Sequence, residues 1–244
     1  MVNEMCGRYL VDDEVYEDMW MLLHSQFPEN TAIGGVAPLP AASGGVMPAA
    51  SSGGGGMPAG AAVGGGMPVS PDEGASRPVS IAKGDIYPSN TAFVLTCDGA
   101  EAVRWGFPHW KNSSVIINAR AETAAQKSMF KKPLLQRRCV VPSSGFYEWS
   151  RAGSGKKKDK FLLTVPGENV LYMAGMVSFF TDATGRAYSA FVILTTAAND
   201  SMSPIHDRMP VILSDCEREQ WLSDDGFMER ALRRLGPQLE ATPA

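Results

Sequence analysis

Residues 170–196 read "VLYMAGMVSFFTDATGRAYSAFVILTT", two long apolar runs that are separated by the turn-forming residues "DATG". Runs of aliphatic and aromatic residues bounded by Asp, Thr and Gly are typical of strands joined by a turn. A second pair of runs, "TAFVLT" at 91–96 and "EAVRWGF" at 101–107, flanks Asp98-Gly99, which is a strong hairpin signal. These patterns predict a mostly antiparallel sheet.

A helix is predicted near the start of the chain. Asp12 or Asp13 can cap it, because a short carboxylate side chain accepts from the first free N–H groups, and it should run to about Gln26. Apolar residues recur on one face of this helix, so we expect that face in the core. They are Val15, Met19, Leu22 and Leu23.

Two further helices follow from the pattern. One covers residues 123–137 and could break at Pro133, because proline cannot donate to the helical hydrogen-bond ladder. The other runs to Leu222 and begins at a capping box formed by Ser214 and Glu217. Together with the strands, these helices predict an α+β fold.

A low-complexity segment, residues 34–75, interrupts this pattern. It repeats Gly, Ala, Met and Pro with a ten-residue period that is visible at Pro38, Pro48, Pro58 and Pro68. Each repeat has too little apolar bulk to offset the entropy of ordering, so we expect a disordered insert. The predicted organisation is a single domain over 5–225, the insert within it, and a C-terminal tail over 226–244.

Charge is unevenly distributed along the chain. The net charge is −4, but residues 102–160 hold 13 Lys and Arg against 3 Asp and Glu, which leaves 9 against 23 elsewhere. This basic segment also contains seven aromatic residues, a composition typical of surfaces that bind nucleic acids through phosphates and stacked bases. A solvated charged surface is the alternative.

The cysteine and histidine spacings argue against a metal site. The four cysteines form no CxxC pair and the three histidines show no HxxxH spacing, so we expect neither a metal nor a cofactor. The first residues lack the basic and apolar regions of a signal peptide, and the longest uncharged run is poor in large apolar side chains. These features predict no membrane partner and a cytoplasmic location.

Four residues could carry chemistry. Cys6 follows a methionine that is not the first residue, and at a mature N-terminus it would combine a thiol with an α-amine. Glu148 lies among aromatics in "SGFYEW", where a buried carboxyl group is suited to proton transfer, and His206 follows an apolar strand. Asn118 offers both a donor and an acceptor. Structural roles stay open for three of them: a buried thiol for Cys6, a core histidine for His206 and a strand-end turn for Asn118.

Several motifs occur in order along the chain: "MCGRY" (5–9), "IYPSN" (86–90), "WGFPHW" (105–110), "INARAET" (117–123), "RRCVVPSSGFYEW" (137–149), "TTAAN" (195–199) and "IHDRMPVIL" (205–213). They closely resemble the SOS response-associated peptidase (SRAP) family over residues 5–33 and about 79–222. The resemblance implies a single domain with a mostly antiparallel, barrel-like core and flanking helices.

The resemblance also implies the family's function, which is the capture of abasic sites in single-stranded DNA. Its catalytic roles would fall on Cys6, Asn118, Glu148 and His206. Its DNA-binding positions would be Gly7, Arg8, Pro88, Trp110, Arg120, Thr195 and Arg208. The partner would be single-stranded DNA with an abasic site, bound by a monomer without metal or cofactor and, in a bacterium, associated with the nucleoid.

The implied chemistry requires Cys6 at the N-terminus. An opened abasic deoxyribose presents an aldehyde, which reacts with a neutral α-amine to give an imine, and the adjacent thiol then closes a thiazolidine ring. Inside a longer chain the nitrogen of Cys6 would be an amide, whose delocalised lone pair cannot form an imine. Initiation at Met5 with methionine removal, or scission of the Met5–Cys6 bond, would expose it. The simpler route is initiation at Met5, which makes "MVNE" a start-site error.

Two other functions stay open from the sequence. As the family name suggests, the chain could be an N-terminal-nucleophile cysteine peptidase that cleaves its own propeptide, with Glu148 and His206 assisting. It could instead be a non-covalent reader of modified or damaged DNA. A lyase-like activity at abasic sites is also open. The capture of abasic sites would serve the DNA damage (SOS) response.

Overall fold

The computed structural model describes residues 7–26, 80–150 and 158–244. The predicted disordered insert at 34–75 lies outside these ranges. The strands are β1 (Tyr9–Val11), β2 (Gly84–Ile86), β3 (Thr91–Thr96), β4 (Gly99–Trp105), β5 (Phe107–Pro108), β6 (Val115–Ile116), β7 (Asn118–Arg120), β8 (Arg138–Ser143), β9 (Gly145–Trp149), β10 (Lys160–Thr164), β11 (Leu171–Thr181), β12 (Ala187–Ala197), β13 (Arg208–Pro210), β14 (Ile212–Leu213) and β15 (Glu240–Pro243). The helices are α1 (Asp13–Gln26), α2 (Ala121–Ala124), α3 (Ser128–Gln136), α4 (Arg218–Ser223) and α5 (Asp225–Ala231), and a 3-10 turn (Asp215–Glu217) precedes α4.

The long hairpin of β11 and β12 closes a barrel. The strands β12, β4, β3, β8 and β11 are hydrogen-bonded in that order, and β11 pairs again with β12. Most of these pairs are antiparallel, as predicted, including β3 with β4. The exceptions are β4 and β7, which both run parallel to β12.

A second sheet carries the N-terminal strand. Its order is β15, β10, β9, β1, β2, and every pair in it is antiparallel. Because β1 lies between β9 and β2, the chain that follows "MCG" is fixed by hydrogen bonds on both edges.

Both faces of the hairpin strands are buried, which explains their continuous apolar runs. Met173 and Phe191 belong to an apolar cluster that includes residues of β1 and β9. Met176 and Val192 belong to a second cluster, with residues of α3, α4 and α5. The barrel is therefore packed between the second sheet and the helices.

Helix α1 has the predicted start, because the Val15 N–H donates to Asp12 Oδ1 at 3.0 Å. Val15 and Met19 are buried, but Leu22 is 37% exposed. The prediction that Leu22 lies in the core is wrong, because the end of α1 borders an open groove that also contains Tyr172.

The predicted helix over 123–137 is two helices, and the break lies elsewhere than at Pro133. Lys127 is extended (φ −85°, ψ 126°) and caps the start of α3. Pro133 is buried inside α3, which continues to Gln136. The turn before Lys127, and not the proline, interrupts the helix.

The tail predicted over 226–244 is part of the folded domain, so that boundary is wrong. Helix α5 spans the boundary and buries Phe227 and Met228, while Leu239 is also buried. Strand β15 then pairs with β10 at the edge of the second sheet. Its place depends on pairing with a strand about 80 positions earlier, which no local pattern records.

The predicted capping box at Ser214 and Glu217 is confirmed. The Ser214 N–H donates to Glu217 Oε2 at 2.9 Å, and Arg234 Nη2 donates to the same oxygen at 2.7 Å. Chiefly through the hydrogen bond from Arg234, the pKa of Glu217 falls from the ordinary 4.5 to about 2. The carboxylate is therefore charged in the folded protein at all but strongly acidic pH.

Glu217→Gln is expected to lower the free energy of unfolding at pH 7 by about 1 kcal/mol, a value that allows for partial solvent screening. Because the pKa in the folded protein lies below the ordinary one, this stabilisation is present above about pH 5 and is lost as the pH falls towards 2. Urea unfolding at pH 7 and at pH 3 would measure it. The exposed Glu219→Gln is the control, and an equal effect of Glu217→Gln at both pH values would contradict the prediction.

Candidate functional site

The N-terminal end of β1 runs alongside Glu148. Strands β1 and β9 are antiparallel, and the Tyr147 N–H donates to the Arg8 carbonyl at 2.9 Å. Continued by one residue, this pairing brings Gly7 opposite Glu148. Cys6 itself lies outside the described residues, and its catalytic role stays a prediction.

Glu148 and His206 form a buried pair. Glu148 lies on the same face of β9 as the core residue Phe146, and His206 precedes β13. Each is only 4% exposed. Glu148 Oε1 lies 3.8 Å from His206 Nε2, beyond a normal hydrogen bond but within ion-pair distance. A carboxyl group and an imidazole so placed can exchange protons with a substrate atom that comes between or beside them.

The second ring nitrogen of His206 orients the imidazole. The Arg208 N–H donates to Nδ1 at 3.1 Å, and Asp207 Oδ1 lies 3.0 Å from the same nitrogen. One nitrogen cannot accept from the amide and donate to Asp207 at once. In the neutral tautomer that accepts from Arg208, the proton is on Nε2, the nitrogen that faces Glu148.

Strand β12 brings three predicted residues together. Thr195 pairs with Arg120 of β7 on one side and with Pro210 of β13 on the other. Asn118, which begins β7, pairs with Ile193, two residues before Thr195 on β12. Thr195 is buried, Asn118 is half-buried and Arg120 is exposed. Of these three, Arg120 is the one whose side chain is open to a phosphate.

Arg208 is held in place by a carboxylate that the sequence analysis did not anticipate. Its Nη1 and Nη2 donate to the two oxygens of Glu122 at 2.5 and 2.9 Å, and Nη2 also donates to the Thr195 carbonyl at 2.5 Å. Chiefly through this hydrogen bond, Arg208 lowers the pKa of Glu122 below its ordinary value. The pair is therefore charged on both sides at neutral pH.

Arg8 lies in a cluster of aromatic rings. Its Nη1 donates to Asp85 Oδ2 at 3.2 Å. Its guanidinium carbon lies 4.3 Å from the centre of the Tyr87 ring and 5.4 Å from that of Trp149. These contacts fix the guanidinium beside the N-terminal end of β1.

Trp110 is one of the exposed residues among the predicted DNA-binding positions. It lies in the loop between β5 and β6, is 71% exposed, and stacks on His109 with ring centres 4.6 Å apart. Pro88 lies in a separate turn between β2 and β3, in which Ser89 has a positive φ of 73°. The loop of Trp110 presents a ring that a nucleotide base could stack against.

Only part of the basic segment is available to bind a polyanion. Arg137 is paired with Glu101 and Arg138 with Asp225, while residues 151–157 lie outside the described part of the chain. The prediction of a stacking surface is wrong for most aromatic residues of this segment, because their rings are buried in the hydrophobic core. The buried ones are Trp105, Phe107, Phe130, Phe146 and Tyr147.

The residues that the sequence analysis missed are the partners of the predicted ones. Glu122 holds Arg208, Asp85 and Tyr87 hold Arg8, and Asp207 contacts His206. A signal existed only for Asp207, which is adjacent to the histidine in "IHDRMP". The others come from distant parts of the chain.

Two kinds of feature are absent from the described ranges. Within residues 7–26, 80–150 and 158–244, no three metal-ligating side chains are grouped so that they could hold an ion. Over the same ranges, none of the helices combines the length and the apolar character that a membrane crossing requires.

The sequence model of the SOS response associated peptidase (SRAP) family matches residues 73–243, well over half of the chain. This chain belongs to the SRAP family. The resemblance seen in the motifs is confirmed, and so is the α+β fold with its barrel-like, mostly antiparallel core.

The curated SRAP relatives are named for abasic sites. The chain is 36% identical to the abasic site processing protein YoqW of Bacillus subtilis over 148 residues. This aligned region covers 57% of this chain and 66% of the relative. It is 35% identical over 128 residues to the abasic site processing protein YedK of Escherichia coli, covering 51% and 55%. With HMCES of Gallus gallus, also an abasic site processing protein, it shares 33% over 174 residues, covering 58% and 51%. The chain thus spans just under two thirds of YoqW and about half of the other two.

Solved structures show the same fold. A crystal structure from Bacteroides thetaiotaomicron superposes with a TM-score of 0.58 at 27% identity and covers 66% of this chain and 77% of that one. One from Bordetella bronchiseptica has a TM-score of 0.57 at 25% identity, with 68% and 89% covered.

Proposed function

We propose that this SRAP protein processes abasic sites and that it does so by covalent capture of single-stranded DNA through Cys6. The names of its relatives support the substrate. The observation that carries the mechanism is the buried pair of Glu148 and His206, 3.8 Å apart, on and beside the strand β9 that pairs with β1. Cys6 is bonded to Gly7, so its reactive groups need only a few bonds to reach that pair.

The reaction consumes one aldehyde and releases one water. The α-amine of Cys6 attacks the aldehyde carbon of the opened deoxyribose, and a C–N bond forms while a proton moves from nitrogen to oxygen. Loss of water gives the imine, to which the thiol sulfur adds, and the thiol proton goes to nitrogen as the thiazolidine ring closes. Both nucleophiles belong to one residue, which makes the ring closure intramolecular and fast.

Glu148 and His206 are proposed to move the protons in these steps. A general acid must protonate the leaving hydroxyl of the carbinolamine, and a general base must take the proton of the amine or thiol. A carboxyl group and an imidazole shielded from bulk water are suited to both tasks. Asn118 is proposed to orient the backbone of Cys6, because its amide can donate and accept.

The proposal requires a free α-amine on Cys6. An amide nitrogen shares its lone pair with the preceding carbonyl and cannot form the imine. Self-cleavage before Cys6 is a second candidate activity, which the peptidase in the name of the matching family favours. In that role the thiol and the buried acid–base pair would act on the Met5–Cys6 bond before DNA capture.

Intact mass spectrometry tests the proposal. Incubation with a single-stranded oligonucleotide that contains one abasic site should increase the mass of the denatured protein by the mass of the oligonucleotide minus that of one water. An oligonucleotide with a tetrahydrofuran analogue has no aldehyde and should give no shift. If the protein binds the abasic strand but no denatured sample carries the added mass, the covalent mechanism is wrong and a non-covalent reader replaces it.

The DNA is proposed to run past three arginines and the Trp110 loop. Arg8, Arg120 and Arg208 would contact phosphates, while Pro88 and Trp110 would lie against the bases. Gly7 and Thr195 would line the path near the lesion. The monomeric state and the cytoplasmic, nucleoid-associated location stay predictions.

Trp110→Ala is expected to weaken binding to undamaged single-stranded DNA by about ten-fold, because a stacking ring is lost. The melting temperature should not change, since 71% of the side chain is exposed. Fluorescence anisotropy with a labelled strand would measure the affinity. Leu235→Ala is a matched control, as Leu235 is 74% exposed. Equal affinity in the Trp110 and Leu235 variants would remove Trp110 from the proposed path.

A further inference from the structure

Glu122 occupies the position from which an external anion would bind Arg208. Both carboxylate oxygens accept from the guanidinium, at 2.5 and 2.9 Å, in the two-point geometry that arginine also uses for phosphate. The side chain of Glu122 is 46% exposed, whereas that of Arg208 is 15% exposed. The carboxylate is therefore the more accessible partner, and a phosphate that approaches Arg208 from solvent meets a negative charge first.

Arg208 is also tied to groups that a phosphate would not displace. Its Nη2 donates to the Thr195 carbonyl at 2.5 Å, and its backbone N–H donates to His206 Nδ1 at 3.1 Å. These bonds can persist while the guanidinium exchanges one anion for another. The exchange therefore concerns DNA binding and leaves the imidazole in place.

We propose that Glu122 competes with DNA phosphates for Arg208 and thereby keeps the affinity for undamaged single strands low. The inference rests on the proposed binding of single-stranded DNA. A protein that captures a rare lesion covalently gains little from tight binding to intact strand, because such binding occupies the site. Weak reversible binding followed by an irreversible step favours the lesion over the excess of undamaged DNA.

Arg120 adds a second cation to the same place. It lies opposite Thr195 in the pairing of β7 with β12, is exposed, and also lowers the pKa of Glu122. Removing the carboxylate would leave two neighbouring cations without their counter-charge. A variant that lacks the Glu122 carboxylate should therefore attract phosphate more strongly than a variant that lacks a carboxylate elsewhere on the protein.

The test is Glu122→Gln, which keeps the size of the side chain and removes its charge. Its affinity for an undamaged single strand should rise by about three- to five-fold at low salt. The plot of log affinity against log salt concentration should steepen by about 0.7, the value for one additional phosphate contact on a single strand. With excess undamaged competitor, the variant should capture an abasic strand more slowly than the wild type.

Glu101→Gln is the matched control. It removes the same charge from another Arg–Glu pair, that of Arg137, which is 3.3 Å long. It reports the effect of net charge alone. Arg208→Ala in the Glu122→Gln background should cancel the gain in affinity, because the guanidinium for which carboxylate and phosphate compete is then missing.

The outcomes separate this inference from the proposed function. If Glu122→Gln and Glu101→Gln bind the undamaged strand equally, or if Glu122→Gln binds more weakly than the wild type, Glu122 does not compete and only positions Arg208. If the wild type and all variants fail to bind single-stranded DNA, the proposed function itself is wrong. Melting temperatures check folding, and Glu122→Ala repeats the test should the glutamine variant be unstable.

Discussion

A Cys6→Ala variant is expected to form no denaturation-resistant adduct with an abasic single strand, a loss of at least about a hundred-fold in adduct yield. The alanine variant keeps an α-amine but has no thiol, so any imine it forms cannot close into a thiazolidine and hydrolyses on denaturation. Denaturing gel electrophoresis with a labelled strand would measure the yield. The melting temperature provides the check on folding.

Cys6→Ser is the matched control for this result. Its hydroxyl is a weaker nucleophile than a thiol, and its α-amine is intact, so borohydride should trap an imine that is otherwise lost. Stable adducts at wild-type yield from both variants would contradict the thiazolidine mechanism. No adduct even with borohydride would contradict imine formation by the α-amine of residue 6.

The state of the N-terminus provides an independent check. Protein expressed from Met5 should crosslink to the abasic strand fully, whereas protein expressed from Met1 should crosslink only in the fraction whose mass shows an exposed Cys6. The reason is the amide nitrogen of the longer form. Equal capture by unprocessed protein would refute the role of the α-amine.

Glu148→Gln is expected to slow capture by about a hundred-fold while leaving the affinity for undamaged strand unchanged. The amide keeps the shape of the side chain and its place beside His206 but cannot transfer a proton. Single-turnover formation of the adduct would give the rate, and anisotropy would give the affinity. His206→Ala should slow the same step, because the two groups lie 3.8 Å apart and are proposed to act together.

Asp207→Asn is the control for the buried pair. Asp207 lies 3.0 Å from His206 Nδ1, but its side chain is 59% exposed, and the variant removes a charge without altering Glu148. A smaller effect is expected from it than from Glu148→Gln. Capture by Glu148→Gln at the wild-type rate would return Glu148 to a structural role, and so would a large fall in its melting temperature.

Local patterns predicted the regular elements well. The hairpin at Asp98-Gly99, the start of α1 at Asp12 and the capping box at Ser214 each depend on residues a few positions apart, and each is present. Two of the errors have a different origin. The exposure of Leu22 and the place of residues 226–244 depend on which distant segment packs there, and no local pattern records that.

Some features of the site can likewise be predicted from the sequence, whereas others arise only in the assembled fold. Glu148 and His206 stand out in the sequence by their residue types and neighbours, but their distance from each other arises only when β9 and β13 are assembled. Glu122 has no such signal, because its partner Arg208 is 86 positions away. An ion pair of that separation is a product of the parallel contact between β7 and β12 and the antiparallel contact between β12 and β13.

By itself, the sequence determined many of the strands and helices of this SRAP protein, its family and the residue types that could react. Hydrophobic periodicity, turn residues and caps act over a few positions, so they can be read directly from the chain. The tertiary structure decided which reactive groups meet, which basic residues are already neutralised, and that the β11–β12 hairpin closes a barrel. Those outcomes depend on burial and charge pairing between segments far apart in sequence, where the free energy belongs to the assembled contacts and not to any one segment.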